Sequence, residues 1–266
     1  MLIGCNREHG GWRIALVIGF RIPRIKAAFF LALVFAAGGP ATAAEPSVVT
    51  SQIRLPGTEG AIRAELFERS GRAKRPVILV LHGAGGTLFD GPEMRRVSRH
   101  LAASGNAVYL LHYFGRTGTI LATDASMQKN FRIWLETVRD SIPLIQEARH
   151  DASPVGIYGY SLGGFLALFT ASDNPRVGAV VEHAGGVWNE KMEKIGRMPP
   201  VLMVHGLRDG RVPFAKYAQP LVPLLRARAR KVETRFFAGE AHVFNPEAMK
   251  KVRAEAATFF RVHLAE

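Results

Sequence analysis

A serine between two glycines is the first feature of the sequence that could do chemistry. Ser161 lies between Gly159 and Gly163, which fits the pattern Gly-x-Ser-x-Gly, and Gly164 follows. An apolar run precedes this segment and a helical pattern follows it. In that context a sharp turn exposes the serine as a nucleophile and leaves no space for a Cβ two residues before or after it. The same pattern also occurs by chance where a serine caps a helix, so a structural role stays open.

A serine hydroxyl is a weak nucleophile at neutral pH and needs a base that a carboxylate holds in place. Asp209 follows the predicted strand 200–204, and His242 follows the predicted strand 232–237, just before the last predicted helix. The order along the chain is serine, acid, histidine, which such triads show where strands and helices alternate. We therefore predict that Ser161, Asp209 and His242 form a Ser-His-Asp triad.

Other acids and histidines near the same strand ends are alternatives to this assignment. Glu182 follows the predicted strand 177–181 and is the strongest rival of Asp209. Glu240 lies two residues before His242 in a short turn, where we expect its side chain to face solvent. The other histidines at predicted strand ends, which we expect to bond to the backbone of turns, are His82, His183 and His205. No His-Glu-x-x-His pattern or comparable ligand spacing supports a metal site among these residues.

A loop of small residues after the predicted strand 76–81 could bind a developing negative charge. Residues 82–87 read His-Gly-Ala-Gly-Gly-Thr. A dinucleotide-binding Gly-x-Gly-x-x-Gly loop would need a glycine where Leu88 stands, and the loop has no Walker lysine. The pattern instead favours an oxyanion hole. We predict that its two donors are the backbone N–H groups of Ala84 and of Leu162, the residue after the serine.

Alternating strands and helices must position these loops, and the sequence predicts such an alternation. Residues 48–55 and 61–67 alternate apolar and polar side chains and are predicted to form a β-hairpin. Further strands, most of them continuous apolar runs, are predicted at 76–81, 107–111, 154–158, 177–181, 200–204 and 232–237. Helical spacing predicts helices at 97–103, 131–148, 162–171, 189–195, 214–229 and 246–264. The predicted fold class is α/β, with a mostly parallel central sheet and helices on both faces.

Composition and charge exclude several classes of protein. The chain has 266 residues, of which 48% are hydrophobic and 21% are charged, so it can form a packed core and is neither disordered nor fibrous. Its formal charge of +13 would suit a nucleic-acid partner. However, the basic run at residues 226–231 has no interleaved aromatic residues on which bases could stack. We therefore predict a solvated helix end there and no nucleic-acid partner.

The first 44 residues have the pattern of a secretory signal peptide. Basic residues precede the apolar run Ala27–Ala37, and small residues follow it. The run is too short for a stable membrane span, although an uncleaved N-terminal anchor remains the alternative. We predict that residues 1–44 are removed, that residues 45–266 form a single domain, and that the protein is periplasmic or secreted. The only cysteine, Cys5, lies in the segment that we predict to be removed.

Several of these segments give the chain a family resemblance. From about Ile53 to the C-terminus it resembles the α/β-hydrolase superfamily and, within it, the dienelactone hydrolase family. The resemblance rests on Leu-His-Gly-Ala-Gly-Gly at 81–86, on the serine motif, and on the loop His112–Gly118, which is similar to that family's loop after the fourth strand. It implies the α/β-hydrolase fold, and it implies that the family's nucleophile, acid and base correspond to the three residues of the predicted triad.

The sequence departs from this family at the nucleophile. Dienelactone hydrolases use a cysteine, whereas this chain has Ser161 at the matching position. A hydroxyl depends on its base for activation more than a thiol does, because the thiol is the stronger acid. The departure therefore favours serine esterase chemistry and makes a dienelactone a less suitable substrate.

Together these patterns predict an exported serine hydrolase that cleaves small carboxylic esters or lactones through an acyl-enzyme. Such a reaction needs neither a cofactor nor a metal ion, and its partner is a small-molecule ester or lactone. We expect residues 114–126 and 187–197 to shape the substrate pocket. Two alternatives remain, namely a peptidase of the prolyl-oligopeptidase type and a non-catalytic binding module on the same scaffold. A single domain offers no propeller to select peptides, and a binding module has no use for a complete triad.

Overall fold

The part of the chain that a computed structural model describes, residues 47–57, 59–71 and 73–264, is organised around an eight-stranded sheet. The strands are β1 (Val48–Leu55), β2 (Ile62–Arg69), β3 (Val77–Leu81), β4 (Ala107–Leu111), β5 (Val155–Tyr160), β6 (Val177–His183), β7 (Val201–Gly206) and β8 (Val232–Phe237). Their order across the sheet is β1-β2-β4-β3-β5-β6-β7-β8. β2 pairs antiparallel with β1 and β4, and all other neighbours are parallel.

Helices cover both faces of this sheet, which confirms the predicted α/β fold class. They are α1 (Gly86–Phe89), α2 (Gly91–Ala103), α3 (Asp124–Ala148), α4 (Leu162–Ala171), α5 (Phe214–Tyr217), α6 (Leu221–Arg228) and α7 (Pro246–His263), with short 3₁₀ helices at Tyr113–Thr117 and Asn189–Lys194. Apolar side chains of α3, α4 and α6 form one buried cluster with the sheet. Those of α2 and α7 form a second cluster on the opposite face.

The continuous apolar runs became strands because both of their faces are covered. Every residue of β3 and of β4 is buried, as is every residue of β7. A strand in this position exposes neither face to water, so it has no reason to alternate apolar and polar side chains. β1 lies at the edge of the sheet, and seven of its eight residues are exposed or half-exposed, so polar side chains can alternate with apolar ones along its sequence.

Four predicted helices differ from the observed ones, and one of them, α2, begins at Gly91 and not at residue 97. α3 begins at Asp124 and not at residue 131, because Thr123 and Ser126 form a capping box that starts the helix earlier. The predicted helix at 214–229 is divided into α5 and α6, with Pro220 between them, since proline has no N–H group to continue the helical hydrogen bonds. The predicted helix at 189–195 is a 3₁₀ helix.

Four predicted strands, β2, β5, β6 and β7, end later than expected, and two of these differences move candidate residues. β6 continues through His183, so Glu182 lies inside the strand and not in a loop after it. β7 continues through Gly206, which places His205 inside that strand as well. Their side chains therefore have the fixed directions of a pleated strand, while Asp209 lies in the loop that follows β7.

The predicted signal peptide, residues 1–44, lies outside the described residues, and so does Cys5. The boundary with the predicted domain at residue 45 remains a prediction for the same reason. Among the residues that the structure describes, no helix is both long enough and apolar enough to cross a membrane.

Candidate active site

Ser161 lies at the turn between β5 and α4 with a backbone that a serine seldom adopts. Its φ is 53° and its ψ is −120°. A positive φ costs a residue with a side chain free energy, and such strain persists only where the surroundings fix it. Here the Ser161 N–H group donates to the carbonyl of His183 at 2.8 Å, and its own carbonyl accepts from the N–H group of Gly164 at 2.8 Å. The turn has the geometry that the sequence motif predicts for an exposed nucleophile.

The two glycines of the motif are required by close approach of the backbone. A Cβ at Gly159 would collide with the carbonyl group of Gly163. A Cβ at Gly163 would in turn collide with the carbonyl oxygens of Leu81 and His82, at the end of β3. The turn can therefore pack against the neighbouring strand only because both positions are glycine.

His242 connects the serine to an acid. The residue lies in the loop between β8 and α7, 81 positions after Ser161. Its Nε2 atom is 2.9 Å from Oγ of Ser161, and its Nδ1 atom is 2.8 Å from Oδ2 of Asp209. Tyr160 supports this loop, because its hydroxyl donates to the His242 carbonyl at 3.2 Å and its ring packs on the imidazole. The structure thus brings the three residues of the predicted triad into one hydrogen-bonded series.

Asp209 is held as a buried carboxylate. Its Oδ1 atom accepts from the backbone N–H groups of Arg211 and Val212 at 2.9 and 2.8 Å. Burial alone would raise the pKa of Asp209, but hydrogen bonds from His205, His242 and Val212 outweigh it and hold the pKa well below its usual range. A carboxylate only accepts, so Nδ1 of His242 must donate to it. Nε2 is then free to accept the proton of the serine hydroxyl.

The carboxyl groups of the two rival acids, Glu182 and Glu240, form hydrogen bonds with other described residues and not with His242. Oε1 of Glu182 accepts from the N–H group of Gly185, and the side chain is fully buried beside the first turn of α4. Burial raises the pKa of Glu182 to about 7. Glu240 accepts from the backbone N–H and the side-chain amide of Asn245, at the start of α7. Of the three candidate acids, the structure brings Asp209 to the imidazole.

The other candidate histidines are occupied by structural hydrogen bonds. Nδ1 of His82 donates to the carbonyl of Gly83 at 2.8 Å, and Nε2 of His205 donates to the carbonyl of Val212 at 2.8 Å. Nδ1 of His183 pairs with the hydroxyl of Tyr158. Burial lowers the pKa of His82 to about 4 and that of His183 to about 3. Both rings are therefore neutral at neutral pH.

The two predicted oxyanion donors border the cavity that contains Ser161. Leu162 is the first residue of α4, so its N–H group has no acceptor within the helix. The loop of Ala84 is fixed on both sides: its carbonyl accepts from Ala122 at 2.8 Å, and the next residue, Gly85, donates to the carboxylate of Asp90 at 3.0 Å. Their roles as oxyanion donors remain predictions.

The profile of the dienelactone hydrolase family matches residues 62–260, which include the glycine-rich loop and all three residues of the predicted triad. The chain belongs to the dienelactone hydrolase family. No curated protein matches its sequence. Membership of this family makes the protein a hydrolase. The family resemblance stated from the sequence is thereby confirmed.

Solved structures share the fold at low identity. A dienelactone hydrolase from Anabaena variabilis is 20% identical with a TM-score of 0.63, over 82% of this chain and 99% of that chain. An esterase from Pyrobaculum calidifontis is 17% identical with a TM-score of 0.63, over 80% and 85% of the two chains. An acylaminoacyl peptidase from Pyrococcus horikoshii is 16% identical with a TM-score of 0.64, over 82% of this chain but only 42% of that chain.

A cavity of about 830 Å³ opens in front of the serine of this dienelactone hydrolase family member. Asp124 and Trp188, which border it, lie in the two segments that the sequence predicts to shape the pocket. Met127 and Phe131 of α3 also line it, and sequence analysis missed Met127 because it placed the start of that helix too late. The volume is in the range of pockets that bind small molecules.

Three further residues support the site; the sequence did not point to Asp90 or Tyr160, and it indicated His205 only as a residue that bonds to the backbone of a turn. Asp90 fixes the glycine-rich loop, Tyr160 supports the His242 loop, and His205 lies 3.4 Å from Oδ2 of Asp209. Tyr160 occupies a variable position of the serine motif, and Asp90 is an acid shortly after a glycine-rich loop. Only these sequence positions could have indicated that Asp90 and Tyr160 support the site. Among the described residues, no group of three or more His, Cys, Asp or Glu side chains could hold a metal ion.

Proposed function

We propose that this protein hydrolyses small carboxylic esters or lactones through an acyl-enzyme on Ser161. His242 is the general base, and the carboxylate of Asp209 orients it. The observation that carries the proposal is the hydrogen-bonded series from Oγ of Ser161 through the imidazole to the Asp209 carboxylate, at 2.9 and 2.8 Å. Both distances lie within the reach that proton transfer in such a triad requires.

In the first half of the reaction, Oγ of Ser161 attacks the carbonyl carbon of the ester while its proton moves to Nε2 of His242. The N–H groups of Ala84 and Leu162 stabilise the oxyanion of the tetrahedral intermediate. The intermediate collapses when the bond to the leaving oxygen breaks and Nε2 returns the proton to that oxygen. An alcohol leaves, and the acyl group stays on Ser161. With a lactone, the released hydroxyl remains attached to the acyl chain.

In the second half, water takes the place of the alcohol. His242 accepts a proton from the water as its oxygen bonds to the acyl carbon, and the same N–H groups stabilise the second oxyanion. The bond to Oγ then breaks, and the proton on Nε2 returns to Ser161. The products are a carboxylic acid and the free enzyme, so no oxidant, metal ion or cofactor enters the balance.

A peptidase of the prolyl-oligopeptidase type is the second candidate from the sequence. The acylaminoacyl peptidase from Pyrococcus horikoshii aligns with this chain over 42% of its own length. The matched region of this chain therefore corresponds to under half of that peptidase. An esterase assignment agrees better with the family and with the Pyrobaculum esterase, which aligns over 85% of its length.

Labelling with a fluorophosphonate tests the triad and distinguishes the enzyme from a binding module. We expect one label per folded chain on Ser161, and none on the Ser161→Ala variant. Ser104→Ala is the matched control, because Ser104 is an exposed serine at the end of α2 and should leave labelling unchanged. An unlabelled wild-type protein would favour the binding module. Hydrolysis of p-nitrophenyl acetate but not of peptide p-nitroanilides would support the esterase over the peptidase.

We also propose that the protein is exported and that residues 1–44 are removed. The proposal is supported by the basic, apolar and small-residue segments that follow one another in this region. Intact-mass analysis of the protein from its native cell is expected to show a mature N-terminus close to residue 45. A native protein that retains Met1 would contradict processing, and recovery only from the cytoplasm would contradict export.

A further inference from the structure

The cavity in front of Ser161 has an aromatic wall. Its ring-bearing residues come from four elements and are Phe131 of α3, Phe165 of α4, Trp188 before the second 3₁₀ helix, and Tyr217 of α5. Trp188 contacts the ring of Phe165 at 4.6 Å and that of Phe131 at 4.8 Å between centroids. Tyr217 contacts Phe165 at 5.6 Å. The four rings therefore form one contiguous surface beside the nucleophile.

The cavity is placed to receive the acyl part of an ester. Ser161, Leu162 and Ala84 border it, so a carbonyl carbon attacked by Ser161 lies beside this cavity and beside both predicted oxyanion donors. The leaving oxygen must face Nε2 of His242 to receive its proton. The imidazole is not among the described residues that border this cavity. A leaving group that points to His242 leaves the aromatic wall free to contact the acyl chain.

The wall is held rigidly by its surroundings. Phe165 is buried within α4, and the ring of Phe169 on the next turn contacts both Phe131 and Trp188. The ammonium group of Lys191 lies 4.7 Å from the ring centre of Trp188 and 5.6 Å from that of Phe131. A cation above the ring faces stabilises this arrangement. The rigid wall presents the edges and faces of aromatic rings to the cavity. It favours an aromatic ring of the substrate over a flexible chain, because aromatic pairs prefer edge-to-face and offset-stacked arrangements.

The charges around the cavity cancel. Its charged lining residues are Asp124, Glu190, Lys191 and Arg211, two acids and two bases. The ammonium group of Lys191 is engaged with the aromatic rings, and Arg211 is exposed to solvent, where its charge is screened. The lining thus has no net attraction for an ionised acyl chain. It suits an uncharged one.

From these observations we infer that this cavity is an acyl-binding site selective for uncharged aromatic acyl groups, such as arylalkanoyl groups. The inference rests on the proposed ester hydrolysis and adds the class of acyl group to it. The aromatic wall provides the selectivity, and Trp188, which contacts two of the other three rings, is its central residue.

A series of p-nitrophenyl esters tests the inference, because the leaving group is constant and only the acyl group changes. The series contains the acetate, the 3-phenylpropanoate, the 3-cyclohexylpropanoate and the hemisuccinate. We expect kcat/KM for the phenyl ester to exceed that for the cyclohexyl ester by about three- to tenfold, the range that one or two aromatic contacts provide. We expect the negatively charged hemisuccinate to be the poorest of the longer substrates.

Two variants locate the selectivity in the wall. Trp188→Leu keeps an apolar side chain but removes the central ring, and it should abolish the preference for phenyl over cyclohexyl. Phe131→Leu, at a half-buried position, tests the same wall in case the first variant folds poorly. Phe89→Leu is the control, because Phe89 is 66% exposed and lies outside this cavity. It should keep the full preference.

The outcomes separate this inference from the proposed function. Equal kcat/KM for the phenyl and cyclohexyl esters, a preference that survives both wall variants, or a best rate with the hemisuccinate would overturn the inference. Acetate hydrolysis that depends on Ser161 would leave the proposed function standing in each of these cases. If no ester is hydrolysed and a fluorophosphonate does not label Ser161, the proposed function fails, and the acyl site fails with it.

Discussion

The buried carboxyl groups of Asp209 and Glu182 differ in ionisation because their surroundings differ. Asp209 accepts hydrogen bonds from two backbone N–H groups and from His242, and these keep it ionised. Glu182 accepts from a single N–H group, and its Oε2 atom has no hydrogen-bond partner among the residues that the structure describes. Burial raises the pKa of Glu182 to about 7. An acid that orients a histidine must remain a carboxylate over the working pH range, and Asp209 meets this requirement.

Replacing Asp209 with asparagine tests its proposed role. The amide has nearly the same shape, but it can donate to Nδ1 and so favour the tautomer whose Nε2 cannot accept the serine proton. We expect kcat for p-nitrophenyl acetate to fall by about 10³- to 10⁴-fold with little change in KM. Asp173→Asn is the control, since this aspartate is exposed and distant from the site in sequence. A loss of less than tenfold would contradict the role.

The buried Glu182 predicts a pH dependence of stability. Its pKa in the folded protein, about 7, lies above the ordinary value of 4.5, so folding is more favourable when it is protonated. The stabilisation is complete below about pH 4.5 and is lost as the pH rises to about 7, by at most about 1.4 kcal/mol per pH unit for one proton. His205 and Asp209 are the charged groups that interact with it.

Urea unfolding of the Glu182→Gln variant between pH 5 and pH 8 measures this contribution. The amide does not ionise, so we expect the free energy of unfolding to decline less over this range than in the wild type. Glu136→Gln, on the exposed side of α3 in an ion pair with Arg132, is the matched control and should keep the wild-type decline. The same decline in Glu182→Gln as in the wild type would refute the assignment.

At the scale of secondary-structure elements, the sequence predicts the bounds of those strands and helices whose local hydrophobic pattern is clear. The runs at 107–111 and 232–237 are strands with the predicted bounds, and α4 begins and ends where its pattern indicates. The start of α3 was missed because its N-terminus is marked by a capping box of Thr123 and Ser126, which is a weaker signal than the usual pairing with Glu or Gln. Strand ends were placed too early because β6 continues through the polar residues Glu182 and His183.

The turn between β5 and α4 gives a prediction about a single methyl group. In Gly163→Ala the new Cβ would collide with the carbonyl oxygens of Leu81 and His82. We expect the free energy of unfolding to fall by about 1–3 kcal/mol, as for overpacking elsewhere, and activity to fall with it because Ser161 is displaced. Chemical unfolding and the p-nitrophenyl acetate assay measure the two effects.

Gly239→Ala provides the comparison for that variant. No atom lies within 4 Å of the Cβ that it would add, so we expect stability and activity close to those of the wild type. Equal behaviour of the two glycine variants would show that the close approach at β3 does not constrain the turn.

At the scale of the whole molecule, sheet topology explains why the three residues could be predicted without coordinates. β3, β5, β7 and β8 are parallel, so the loops after them lie at one edge of the sheet. A motif after β5 and chemically suitable residues after β7 and β8 then indicate the proposed triad. The pocket could not be predicted in the same way, because Tyr217, Phe165 and Trp188 meet only through the packing of separate helices.

The central claim is that Ser161 is acylated and deacylated with the help of His242. Rapid-quench mass spectrometry of the protein mixed with p-nitrophenyl acetate tests it most directly. We expect one acetyl group on the peptide that contains Ser161, appearing within the first turnover and disappearing when substrate is exhausted. The Ser161→Ala variant should show none, and the His242→Ala variant should acquire it far more slowly. Turnover of the ester without an acetyl group on Ser161, or undiminished turnover by the Ser161→Ala variant, would contradict the account.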